Sequence, residues 1–126
     1  MKQIVAVWTH ESTAIEGNTL TLGETTQILE LGLTINGNPL KDHQEVYGHA
    51  RAIDLIRQLD DGSALDEERL FEFHRAIVPQ SPVDALSPIG EWKRDYNGTA
   101  GVVRKRTKYL EYSPPADVPG LMEKWL

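Results

Sequence analysis

The chain has 126 residues, thirteen basic and nineteen acidic, for a formal net charge of −6. That length bounds it to one domain. The acidic balance argues against a general nucleic-acid or anionic-membrane surface, and the lack of any cysteine excludes disulfides and thiolate metal sites. The apolar run within residues 1–8 is too short for a signal peptide, and no stretch approaches the ~18 apolar residues of a membrane span. The expectation is a soluble, cytoplasmic protein that touches neither membrane nor nucleic acid.

A first helix is predicted over about residues 8–16. It puts Ser12 and Glu16 one turn apart on one face. Gly17 suits a chain leaving a helix, because glycine reaches left-handed backbone angles without steric cost. Glu16 then stands at a helix C-terminus, where the macrodipole disfavours negative charge. It is either a solvated last-turn glutamate or a carboxylate with a cationic partner and a task.

Thr21-Leu22-Gly23-Glu24 has the form of a capping box. Leu22, Thr25, Ile28, Leu29 and Leu31 continue it as an amphipathic stripe. Residues 32–40 are rich in breakers and read as a loop or small hairpin, with an Asn36-Gly37 turn. A third helix is predicted from Lys41 to about Leu59, with Val46, His49, Ala50, Ile53, Ile56 and Leu59 inward. Asp60-Asp61-Gly62-Ser63 ends it. Acidic Asp66-Glu67-Glu68 opens a fourth helix, buried through Leu70, Phe73, His74, Ile77 and Val78. Pro79, Pro82 and Pro88 keep the next stretch out of helix.

From Gly90 the pattern changes. Thr99 to Val103 and Thr107 to Tyr112 are β-prone runs about a polar turn, which predicts a hairpin. Val118, Leu121, Met122, Trp125 and Leu126 begin a last amphipathic helix capped near Ala116 or Asp117. Its uncovered apolar face predicts self-association or low stability in isolation.

Several stretches together resemble the Fic-domain family. Ser12-x-x-x-Glu16-Gly17-Asn18 resembles the inhibitory helix of its self-inhibited members. Glu45-Val46-Tyr47-Gly48-His49-Ala50-Arg51-Ala52-Ile53 resembles a core helix, and Leu70-Phe71-Glu72-Phe73-His74-Arg75-Ala76-Ile77 another. Gly90-Glu91-Trp92-Lys93-Arg94 resembles the approach to the family's flap, with one extra residue before Arg94. Residues 109–126 resemble the flap's tail, its Pro-Pro exit and the helix after it. The implied fold is mostly α: a Fic-like helical core, incomplete here, with one β-hairpin flap. The implied division is an inhibitory helix at about 8–18, core helices at 21–89, the flap at 90–115 and a further helix start at 116–126.

The family's catalytic signature, His-Pro-Phe-x-Asp/Glu-Gly-Asn-Gly-Arg-x-x-x-Arg, does not occur in these residues. It is expected some tens of residues beyond Leu126. The chain thus looks like the N-terminal half of a Fic enzyme, with no catalytic residue of its own. Such enzymes transfer AMP from ATP, with Mg2+, to a hydroxyl of a target protein, and some remove it again. By resemblance, Glu16 is the self-inhibitory residue, competing with the ATP γ-phosphate for the signature's second arginine beside a cleft bordered by the hairpin. Ser12, Gly17 and Asn18 shape its helix. Thr99, Ala100, Gly101, Val102 and Val103 are the flap residues that dock a target main chain, and a homodimer is a further expected partner. Alone, the chain is expected to be inactive toward ATP. The alternative is a non-catalytic module acting on another polypeptide.

Other residues carry plainer readings. Arg104, Lys105, Arg106 and Lys108 can be edge protection. His10 and His43 are expected to be exposed, His49 and His74 to be satisfied core histidines. No ligand spacing predicts a metal site. Arg94 is structural or functional, and Trp8, Trp92 and Trp125 are core or interface aromatics.

Overall fold

In the computed structural model, residues 2–59, 62, 64–78 and 88–126 are described. Helix α1 (Lys2–Ile15) turns small side chains inward, with Ala6, Thr9 and Thr13 buried. Small residues let it approach α2 (Leu22–Leu31) and α3 (Leu40–Gln58) closely, and it packs on both. The buried Thr13 hydroxyl donates back to Thr9 O at 2.9 Å, so its burial leaves no donor unpaired. The helix starts at Lys2 rather than near Trp8. Residues 2–7 form its first turns because Ala6 extends the buried stripe of Thr9 and Thr13 by one turn.

Helix α2 opens on the predicted capping box. Thr21 Oγ1 accepts from Glu24 N at 3.2 Å, and Glu24 Oε2 accepts from Thr21 N at 2.7 Å. Ile28, Leu20 and Val46 form the core, with Leu29 and Ile35 packed against them. Burying one side chain of this size contributes roughly 1.5–3 kcal/mol.

On α3 the buried residues are Asp42, His43, Val46, Ala52 and Ile53. Ile56 is exposed, against expectation. His43 is buried rather than exposed, because both ring nitrogens have backbone partners. Nε2 accepts from Ile35 N at 3.0 Å, so Nδ1 carries the proton and donates to Pro39 O at 3.0 Å. The imidazole pins the 32–39 loop to the helix. His10 is half-buried rather than exposed.

Helix α4 (Glu67–Ile77) is capped by Asp66, whose Oδ1 accepts from Arg69 N at 2.9 Å. It crosses α3 at Gly48, where a Cβ would lie 2.2 Å from Ala76 O. No α4 residue is fully buried, and His74 is exposed rather than part of the core. The helix leans mainly on α3, so its apolar stripe is half covered. Asp60, Asp61, Ser63, Pro79 and Pro82, expected to break helices, lie outside the described residues.

Strands β1 (Gly98–Val103) and β2 (Arg106–Glu111) pair antiparallel, Gly98 opposite Glu111 and Val103 opposite Arg106. The two-residue turn Arg104-Lys105 has φ of 50° and 62°, the left-handed geometry of a type I′ hairpin. Non-glycine residues bear a cost of roughly 1–2 kcal/mol each there. A 3-10 turn (Pro115–Asp117) leads into α5 (Val118–Trp125). Trp125 and Trp8 are exposed, and Trp92 is half-buried, so no tryptophan is in the core. Trp92 stacks edge-on to Phe71 at 4.8 Å. The chain is mostly helical, with one hairpin standing apart from the core.

Candidate functional site at the end of the first helix

The chain leaves α1 through a hydrogen-bonded turn. Gly17 N donates to Ala14 O at 3.0 Å, and Asn18 N to Thr13 O at 3.1 Å. Gly17 takes φ 92°, which the reversal requires. Asn18 then fastens the turn to α3. Its Nδ2 donates to Asp42 O at 2.9 Å and to Glu45 Oε2 at 3.0 Å, while Oδ1 accepts from Leu20 N at 3.1 Å. The buried Asp42 carboxylate accepts from Thr19 N at 2.9 Å and from the Thr19 hydroxyl.

This anchoring fixes one side of a groove of about 340 Å³. Ser12, Thr13 and Glu16 line it from α1, Lys41, Glu45 and His49 from α3, and Ile77 and Val78 from the end of α4. Ser12 and Glu16 both face the groove, one turn apart, and Glu16 is exposed. Lys41 Nζ lies 3.4 Å from Glu45 Oε1. Among the described residues no cation is paired with Glu16. Its carboxylate, at a helix end that disfavours it, is open to a cation from elsewhere.

His49 forms the floor. Its Nδ1 is 3.3 Å from Thr9 Oγ1, and its ring meets Trp8 edge-on at 6.1 Å. Burial pushes the imidazole below its ordinary pKa, so it is neutral near pH 7. Two carboxylates, one ammonium and a neutral imidazole give the groove a net negative charge, which suits a guanidinium.

The groove is bordered by α3 and α4, not by the hairpin as expected. The hairpin is held separately. Gly90 N donates to His74 Nδ1 at 2.9 Å, and Arg75 Nη1 donates to Gly90 O at 3.3 Å. Trp92 Nε1 donates to Glu67 Oε1 at 2.9 Å. The approach to the hairpin is thus clamped to α4, and His74 serves that clamp. Arg94 pairs with Glu91. Thr99, Ala100, Gly101, Val102 and Val103 are all exposed on β1. Among the described residues no three His, Asp or Glu side chains are grouped to hold a metal ion.

Sequence reasoning had not tied Lys41, Glu45, Ile77 or Val78 to Glu16. Only the four-residue spacing of Lys41 and Glu45 hinted at a pair.

No family model matches the chain. It is 34% identical over 91 residues to the protein adenylyltransferase fic-1 of Caenorhabditis elegans, covering 68% of this chain and 18% of that one. It is 29% identical over 125 residues to the protein adenylyltransferase Fic of Drosophila yakuba, covering 93% and 22%. A Fic-domain-containing signalling protein from Bacteroides thetaiotaomicron superposes with a TM-score of 0.81 at 28% identity, over 97% of this chain and 44% of that one. This chain belongs to the Fic-domain family.

A second Fic structure, C. elegans Fic-1, superposes at 0.66 with 26% identity over 97% of this chain and 33% of that one. The chain spans about a fifth of the length of the curated relatives it matches. Its five helices and two-stranded antiparallel hairpin match the corresponding part of a Fic-domain structure. No described helix is long and apolar enough to cross a membrane.

Proposed function

We propose that this chain is the regulatory and target-docking part of a Fic protein adenylyltransferase. AMP passes from ATP to a target hydroxyl at a site completed by the His-Pro-Phe signature. Glu16 holds the reaction in check, and relatives named adenylyltransferases support the reaction class.

One observation carries the reading: Glu16, unpaired by any cation among the described residues, faces a groove whose far wall is the end of α4. A carboxylate so placed can engage an arginine that would otherwise bind the γ-phosphate. Arginine binds carboxylate and phosphate through the same fork, so the two compete directly. Ser12 lies one turn earlier on the same wall, and Asn18 fixes the turn that aims Glu16. When bound with ATP, Mg2+ neutralises phosphate charge.

The test joins the chain to a Fic segment bearing the signature and follows labelled AMP on protein. Losing one charge-assisted pair of about 1.5–3 kcal/mol predicts that Glu16→Gly raises transfer about tenfold or more. Unchanged incorporation in that variant would show that Glu16 does not restrain the enzyme.

A further inference from the structure

The hairpin has two unequal edges. β1 reads Gly98-Thr99-Ala100-Gly101-Val102-Val103 and carries no charge. The turn and β2 carry Arg104, Lys105, Arg106 and Lys108, four of the chain's thirteen basic side chains within five residues. All four are exposed, and none is ion-paired among the described residues. Charge placed for protection belongs on the edge at risk. Here the β1 edge is bare.

The register says which groups that edge offers. Tyr112 N donates to Asn97 O at 2.9 Å, which makes 97 and 112 a hydrogen-bonded pair. Antiparallel pairs alternate, so Thr99, Gly101 and Val103 bond inward to β2. The backbone groups of Gly98, Ala100 and Val102 therefore point outward, ready for another strand. The side chains of Thr99, Gly101 and Val103 share a face with Arg106, Lys108 and Leu110.

Gly101 sits directly opposite Lys108. A Cβ on Gly101 would meet nothing within 4 Å, so the face in front of Lys108 is open. The long lysine stem can lean across the glycine toward a strand added beyond β1. Arg106, opposite Val103, extends the same positive strip to the tip. The tip itself places two bulky cations where Asn-Gly would fit without strain.

We propose that the segment docking on β1 is an extended acidic peptide of a target protein. It carries carboxylates at alternate positions, those facing Gly101 and Val103. The remainder of this acidic chain repels such a segment, so the basic hairpin steers it to one edge. This inference rests on the reading of the hairpin as the target-docking flap and adds the chemical class of what docks.

Fluorescence anisotropy of labelled octapeptides against the 126-residue chain tests it. An alternating Thr-Glu peptide is expected to bind about tenfold tighter than Thr-Gln at low salt, with the gap closing at high salt. Lys108→Gln should shrink the gap between the two peptides. Val102→Pro, which removes an outward N–H, should abolish binding of both peptides. Equal binding of Thr-Glu and Thr-Gln overturns the acidic preference while leaving strand docking in place. Failure of both peptides to bind overturns docking as well. Tighter binding of a single-stranded oligonucleotide than of Thr-Glu also overturns the proposal, assigning the basic tip to nucleic acid.

Discussion

His49 Nδ1 lies 3.3 Å from the hydroxyl of Thr9, a fully buried side chain of α1. The contact joins the floor of the groove to the helix that bears Glu16. It also makes the fold sensitive to acid. Burial depresses the His49 pKa below its ordinary value near 6.5, so the unfolded chain takes up this proton first as pH falls. The group's contribution is therefore intact above about pH 6.5 and is lost progressively below it. Thermal midpoints between pH 7.5 and 5 should fall less steeply in His49→Gln than in the parent chain. Identical slopes would mean that the imidazole titrates as it does in water.

The turn after α1 depends on Asp42. This buried carboxylate accepts two hydrogen bonds from Thr19. Asp42→Ala strands the Thr19 N–H, at a cost of about 1–3 kcal/mol. The midpoint should drop by about 4 °C for each kcal/mol. Glu16 would also lose its fixed bearing, so the same variant joined to a signature-bearing segment should show partial release of AMP transfer.

Thr25 and Ile28 lie one turn apart and are both fully buried, yet their substitutions should act in opposite directions. The Thr25 hydroxyl has no partner among the described residues. Thr25→Val keeps the shape and removes an unsatisfied group, so it should stabilise by about 1 kcal/mol. Ile28→Ala opens a cavity beside Leu20 and Val46 and should cost about 2–5 kcal/mol. Urea denaturation separates the two. A destabilised Thr25→Val would reveal a water or side chain bonded to that hydroxyl.

Replacing Arg104-Lys105 with Asn-Gly should relieve left-handed strain of roughly 1–2 kcal/mol per residue. Amide exchange across the β1–β2 ladder should slow. The same variant loses two cations, so Thr-Glu peptide binding should weaken while the hairpin becomes firmer. Faster exchange in this variant would refute the strain assignment.

Local chemistry made much of the fold legible. Thr21 with Glu24 announced α2, Asp66 announced α4, and the β-prone runs around 104–105 announced the hairpin. What escaped were burials decided by distant partners. His43 is inside because Ile35 N and Pro39 O meet its ring, and neither contact leaves a mark in the hydrophobic period. The α1 start was missed because Ile4-Val5-Ala6-Val7-Trp8 is an unbroken apolar run that shows no helical period until Ala6 is seen against its neighbours. The Ser12–Glu16 spacing was readable as helical geometry. The facing wall, from Lys41 to Val78, is assembled only by the packing of α3 and α4.

The two-residue turn also makes the hairpin a digital device. One residue inserted between Val103 and Arg106 would slip the pairing by a single position, and a single slip sends every β2 side chain to the opposite surface. Lys108 would exchange sides with Tyr109, and the cationic strip would turn its back on Gly101. Homologues with a longer loop at this point should therefore choose different clients, even with every strand residue unchanged.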